Sequence, residues 1–93
     1  MAEIPAIYMA RVEYLGGKSD KFYEMSVYAD ANGGFIEKRR WGRYGAKGQT
    51  KIVYHHSEWY ATQSAQTQVS AKLNKGYTRP IAPLTRLATA MDN

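Results

Sequence analysis

Cysteine is absent from the 93 residues, so neither disulfides nor thiolate metal sites can staple the fold, and nothing marks an oxidising compartment. Histidine is almost as scarce. His55 and His56 are adjacent, with no third ligand at metal spacing beside them, which argues against structural zinc and leaves no cofactor implied. Long apolar runs are missing too: nothing approaches the ~18 consecutive apolar residues of a membrane-spanning helix. The N-terminus does not read as a secretory leader, because Glu3 stands where a leader is basic and Pro5 and Arg11 interrupt its apolar stretch. A cytosolic protein with no membrane partner is expected.

Acidic residues are outnumbered, 8 against 13 Lys and Arg, for a formal charge of +5. That balance favours polyanionic partners and solubility, and says nothing about fold. A chain of this length builds one core, burying ~60–65% of the surface its unfolded form exposes. One domain over residues 1–93 is therefore expected, with its core at about residues 6–78 and a tail over 79–93.

What the chain does have is a basic strand–turn–strand stretch, FIEKRRWGRYGAKGQTKIVY, from Phe35 to Tyr54. Six of the thirteen basic residues, Lys38, Arg39, Arg40, Arg43, Lys47 and Lys51, fall within it. Ionised side chains are almost never buried unpartnered, so this hairpin is expected to form a wall of the core and a basic outer edge. Before it, residues 6–15 read as a first strand, and Lys21 to Tyr28 as a second with Tyr23, Met25 and Val27 on its core face. Asn32-Gly33-Gly34 suits a tight hairpin turn. Phe35 to Arg43 forms a third strand, and its mixed faces suit a position near an edge, or a bulge before Trp41. The corner at residues 44–48 leads to a fourth strand, Gln49 to His55.

The period then changes from two to 3.6. Ser57 is a candidate N-cap, and Ala61, Ala65, Val69 and Leu73 recur every fourth residue. A helix of about 18 residues, roughly 27 Å long, is expected, with Gly76 as its C-cap glycine. Its stripe of small side chains requires close approach to the sheet, with Trp59 and Tyr60 expected to plug a gap at one end. The fold class is thus α+β: an antiparallel sheet of about four or more strands with one long helix packed across it. Leu84, Leu87, Ala88 and Met91 fit a short helix in the tail, or a frayed segment.

Three motifs in order carry a resemblance: Ser19-Asp20-Lys21-Phe22-Tyr23, then Trp41-Gly42-Arg43-Tyr44-Gly45 with Gly48-Gln49, then Lys72-Leu73-Asn74-Lys75-Gly76-Tyr77. Together, over about residues 10–78, the chain resembles the WGR domain of poly(ADP-ribose) polymerases and of bacterial MolR-related proteins, as a stand-alone copy. The resemblance implies a small α+β fold that binds nucleic acid and communicates between domains, without catalysis of its own. It also implies that Trp41 stacks on the sugar of a terminal nucleotide at a DNA break, and that Arg43 lies on the surface facing DNA and partner domains. Nothing here corresponds to the polymerase catalytic domain or its zinc fingers.

Trp41 therefore has two readings, a core aromatic or a platform at a DNA end. Arg43 is either a phosphate fork or an arginine bonded to carbonyls of the corner. Lys38, Arg39, Arg40, Lys47 and Lys51 are candidate phosphate contacts, although strand alternation separates Lys38 and Arg40 from Arg39 and Arg43. Gly42, Gly45 and Gly48 are structural, with an anion nest of backbone N–H groups as the competing reading of the corner. Lys72 and Lys75 suit the helix C-terminus by charge, and Lys75, Gly76 and Tyr77 form a helix cap with Tyr77 packed back on the sheet; a secondary contact of Lys72, Lys75 and Tyr77 with phosphate is the competing reading. His55 and His56 read as surface residues at a strand end, and no catalytic constellation is present. The expected function is sequence-independent binding of double-stranded DNA at ends or nicks. The alternatives are docking onto a separate, acidic protein partner, or RNA binding; the oligomeric state is left open.

Overall fold

The computed structural model describes residues 5–18 and 20–80; the tail expected over residues 79–93 lies almost wholly outside the described residues. The order of elements is β1 (Tyr8–Tyr14), β2 (Lys21–Ala29), β3 (Phe35–Arg43), β4 (Gln49–His55) and α1 (Glu58–Asn74). The four strands form one antiparallel sheet in the order β1-β2-β3-β4, and α1 crosses one face of it, chiefly over β2. The α+β architecture, the limits of β3 and β4 and the Ser57 cap agree with the sequence reading.

Strand alternation decides which side chains meet the helix. Val12, Tyr23, Met25 and Val27 face it, and Ala61, Ala65 and Val69 return the contact from α1. Both alanines are fully buried, so helix and sheet approach without a bulky layer between them. Ala65→Trp is expected to cost about 1–3 kcal/mol or more through overpacking, read as a lower urea midpoint; an unchanged midpoint would remove this interface.

Three expectations need correcting. β3 lies one strand in from the β4 edge, as its position near an edge requires, but it carries no bulge: it pairs with β2 from Phe35 to Arg43 and with β4 from Phe35 to Trp41 without interruption. Its mixed pattern arises because Glu37 and Arg39 lie on the face beneath the helix, where Glu37 is 0% exposed. Glu37 is bonded by Arg39 Nε at 3.0 Å and by His55 Nε2 at 2.8 Å. His55 is accordingly a half-buried partner of a carboxylate and not a surface residue. Finally, Trp59 and Tyr60 plug nothing: they are 62% and 64% exposed and pack edge to face on each other. The buried stripe of α1 runs through every fourth residue from Ala61, which turns position 59 away from the sheet.

The face away from the helix has no covering layer among the described residues, yet Phe22 on it is buried. The guanidinium groups of Arg11 and Arg40 sit over its ring at 4.7 and 4.6 Å from the centroid, and both arginines are held by Glu24. The corner after β3 closes the remaining side, fastened by the bond from Arg40 Nη1 to the Lys47 carbonyl at 2.6 Å.

Candidate nucleic-acid interface

The end of α1 fixes one wall of the candidate site. Gly76 adopts a positive φ of 104°, which lets its N–H reach the Leu73 carbonyl and the Tyr77 N–H reach the Lys72 carbonyl, both at 3.1 Å. This paired closure reverses the chain after the last turn. Thr78 then exchanges two backbone bonds of 2.7 Å with Glu13 on the outer edge of β1. Tyr77 is thereby pressed against the core and meets Tyr14 edge to face at 5.6 Å. Lys72, on the turn so fixed, lies over the rings of Tyr23 at 4.7 Å and Tyr77 at 5.6 Å.

The sheet supplies the other wall. Trp41 stands directly opposite Tyr23 in the β2–β3 ladder, and their rings stack at 6.1 Å with an interplanar angle of 25°. Trp41 is half-buried on the helix side of the sheet, packed against the core. One side of the indole packs on the core, as the core-aromatic reading has it, and the remainder borders a cleft of about 320 Å³ lined also by Lys21, Arg43, Lys72 and Tyr77. Asp20 borders the same cleft, with its carboxylate bonded by the Gly16 N–H at 3.1 Å.

Charge in this cleft is unbalanced. Lys21 and Arg43 are directly opposite each other in the ladder, a like-charge pair of the kind that costs stability in a sheet. Lys72 from the helix adds a third cation. Burial, and then repulsion from Lys75 and Lys21, hold the Lys72 ammonium below the ordinary lysine value. None of the three has a carboxylate within ion-pair distance among the described residues. An anion entering between them relieves that repulsion and meets the free part of the indole.

The other basic residues of the central stretch are dispersed. Arg39 is held beneath the helix by Glu37 and lies 3.4 Å from Ser64 Oγ. Arg40 is committed to Glu24 and the corner, on the opposite face, and Lys38 is exposed on that same face. Lys51 is exposed beside Arg39 on the helix side of β4, and Lys47 is exposed in the corner. Of the sequence-selected cations, then, Arg43 lines the cleft and Lys51 shares its face. The sequence reading leaves out Lys21 and gives Lys72 only a secondary contact with phosphate at the helix end. The available signal was a lysine placed to pair with the motif arginine across a hairpin, but it could be read only once the register was known.

Gly42 and Gly48 explain how the corner reaches this position. A Cβ on Gly42 would come within 2.8 Å of the Gly48 Cα, and one on Gly48 within 2.3 Å of the Trp41 carbonyl oxygen. The two glycines face each other with no room for a side chain, and the corner folds over the edge of Phe22 as a result.

The WGR domain family model matches residues 6–82, which takes in the whole sheet, the helix and the Trp41 cleft. No curated protein and no solved structure matches the chain. The Trp-Gly-Arg segment at the end of β3, the glycine corner behind it and the Lys-Gly-Tyr closure of α1 lie within that one matched span, and the chain belongs to the WGR domain family.

Proposed function

We propose that this domain binds DNA without reading base sequence, at ends, nicks or other sites where a sugar face is exposed. WGR domains are a non-catalytic family, known in the poly(ADP-ribose) polymerases as nucleic-acid-binding modules. The observation that carries the proposal is the convergence of Lys21, Arg43 and Lys72, from two strands and a helix, on one half-exposed indole. The cations hold phosphate, which positions a duplex without specifying sequence. Trp41 packs on the terminal sugar or base, a contact worth ~1–3 kcal/mol per stacked base. Lys51 extends the same face along β4, whereas Arg39 and Arg40 serve the fold. Among the described residues α1 is the one helix, and its inner face is spent on the sheet, so it does not serve as a recognition helix.

Two experiments test this. Fluorescence anisotropy with blunt, nicked and closed circular duplexes, and a single-stranded RNA control, should rank ends and nicks above circles and RNA. Equal affinity for circles would remove end recognition, and no DNA binding would transfer the same cations to an acidic protein partner. With about four phosphates neutralised, affinity should fall ~100-fold or more between 50 and 200 mM salt.

The second is the double substitution Lys21→Gln, Arg43→Gln. It should leave the melting temperature unchanged or raise it, by the few tenths of a kcal/mol that a like-charge pair costs, while DNA affinity falls at least about tenfold. Loss of stability with affinity retained would make these residues structural.

A further inference from the structure

β4 is the outer strand of the sheet, and among the described residues nothing pairs with its far side. The direction of its backbone groups follows from the ladder. At the β2–β3 turn the Asp30 N–H bonds the Gly34 carbonyl at 3.0 Å. Antiparallel pairing alternates, so Ile36, Lys38 and Arg40 bond towards β2, and Glu37, Arg39 and Trp41 towards Val53, Lys51 and Gln49. The reciprocal bonds between Glu13 and Thr78 at the opposite edge fit the same parity. Thr50, Ile52 and Tyr54 therefore turn their N–H and C=O groups outward. Ile52 is 42% exposed and Tyr54 is 70% exposed.

Edge strands of this length are ordinarily blunted by proline, a bulge or several charges. Gln49–His55 has no proline, no interruption of its pairing and one Lys, Lys51. The β1 edge, by contrast, is partly occupied by Thr78.

We propose that β4 pairs antiparallel with β4 of a second copy of this chain, about a two-fold axis through Ile52, giving one continuous sheet. The register follows from two constraints. Centring on Ile52 sets Thr50 opposite the partner's Tyr54, so all three outward residues bond, with about six ladder hydrogen bonds in total. It also sets Lys51 opposite the partner's Val53, whereas centring on Lys51 would oppose two ammonium groups. Centring on Val53 would leave Thr50 unpaired. The chosen register joins the Ile52 side chains across the seam and lays each Tyr54 beside a threonine. Both helices then lie on one face, and the Trp41 clefts stay outside the seam. The proposal is independent of what those clefts bind.

The test is sedimentation velocity from micromolar to millimolar concentration. The wild type should shift from monomer to dimer. Ile52→Pro should remain monomeric with its melting temperature at low concentration within a few degrees of the wild type, because the N–H it removes makes no bond within the sheet and edge positions accept proline. Should that variant not fold, Ile52→Lys, which opposes two charges across the seam, must abolish the dimer instead. With no native thiol, Ile52→Cys should oxidise to a covalent dimer, since directly paired Cα atoms ~5.5 Å apart lie within disulfide reach. Ser70→Cys, exposed on the helix, should not. A monomeric wild type at every concentration, a dimer that survives both Ile52 substitutions, or equal crosslinking through Ser70 would each overturn the proposal.

Discussion

Glu37→Ala is expected to lower stability by about 3–5 kcal/mol, the usual cost of breaking a buried ion pair by removing one partner. A domain of this size has about 5–15 kcal/mol in all, so the midpoint should fall by tens of degrees. The carboxylate is sealed beneath α1 and holds Arg39 and His55. Its removal leaves a guanidinium only 17% exposed with no counter-charge. Calorimetry checks this directly, and a loss below about 1 kcal/mol would show that water reaches the cluster.

The same carboxylate sets an acid dependence. Burial pushes its pKa up, but bonds from Arg39, Ser64 and His55 outweigh that and hold it below the ordinary value. A group depressed on folding stabilises above its unfolded pKa, and its contribution is lost as pH falls through the folded one. Glu24, held by Arg40 and Arg11 against the opposing effect of burial, shifts the same way. The informative quantity is thus the difference between wild type and Glu37→Gln, which should narrow as pH falls below the carboxylate range. A constant gap would detach Glu37 from acid unfolding.

Gly48→Ala should cost about 2–4 kcal/mol, combining left-handed backbone strain with a direct clash. Its φ is 77°, and a Cβ there meets the Trp41 carbonyl carbon at 2.9 Å and Phe22 Cζ at 3.0 Å, besides the still closer carbonyl oxygen. Relief requires the end of β3 to move, and the indole moves with it, so DNA affinity should fall as well. Gly45 is the control. Its φ of 86° is similar, but no atom lies within 4 Å of the added carbon, so Gly45→Ala should show the strain alone, about 1–2 kcal/mol. Indistinguishable melting of the two variants would mean that the corner does not press on Trp41.

Much of the fold was legible because its signals are local. Ser57 caps the helix through the Tyr60 N–H at 3.1 Å, and the turn glycines bound β3 and β4 where the sequence placed them. The failures share one cause: they depend on which distant residues meet. Glu37, Arg39 and His55 carry polar identities at core-facing positions, so alternation alone leaves room for a bulge in β3 and makes His55 look exposed. Lys21 and Lys72 reach Trp41 only through the hairpin register and the reversal at Gly76. The basic packet was visible as composition, but its division among two faces and a buried network was not.

Lys21, Arg43 and Lys72 come from three separate elements that repel one another at a single opening. Anything neutralising all of them acts as a brace between the end of the helix and the rim of the sheet. The unfolded chain has no such opening, so occupancy must appear as added heat resistance that grows with ligand concentration. Short oligonucleotides should thus leave a calorimetric signature of binding even where no label is attached.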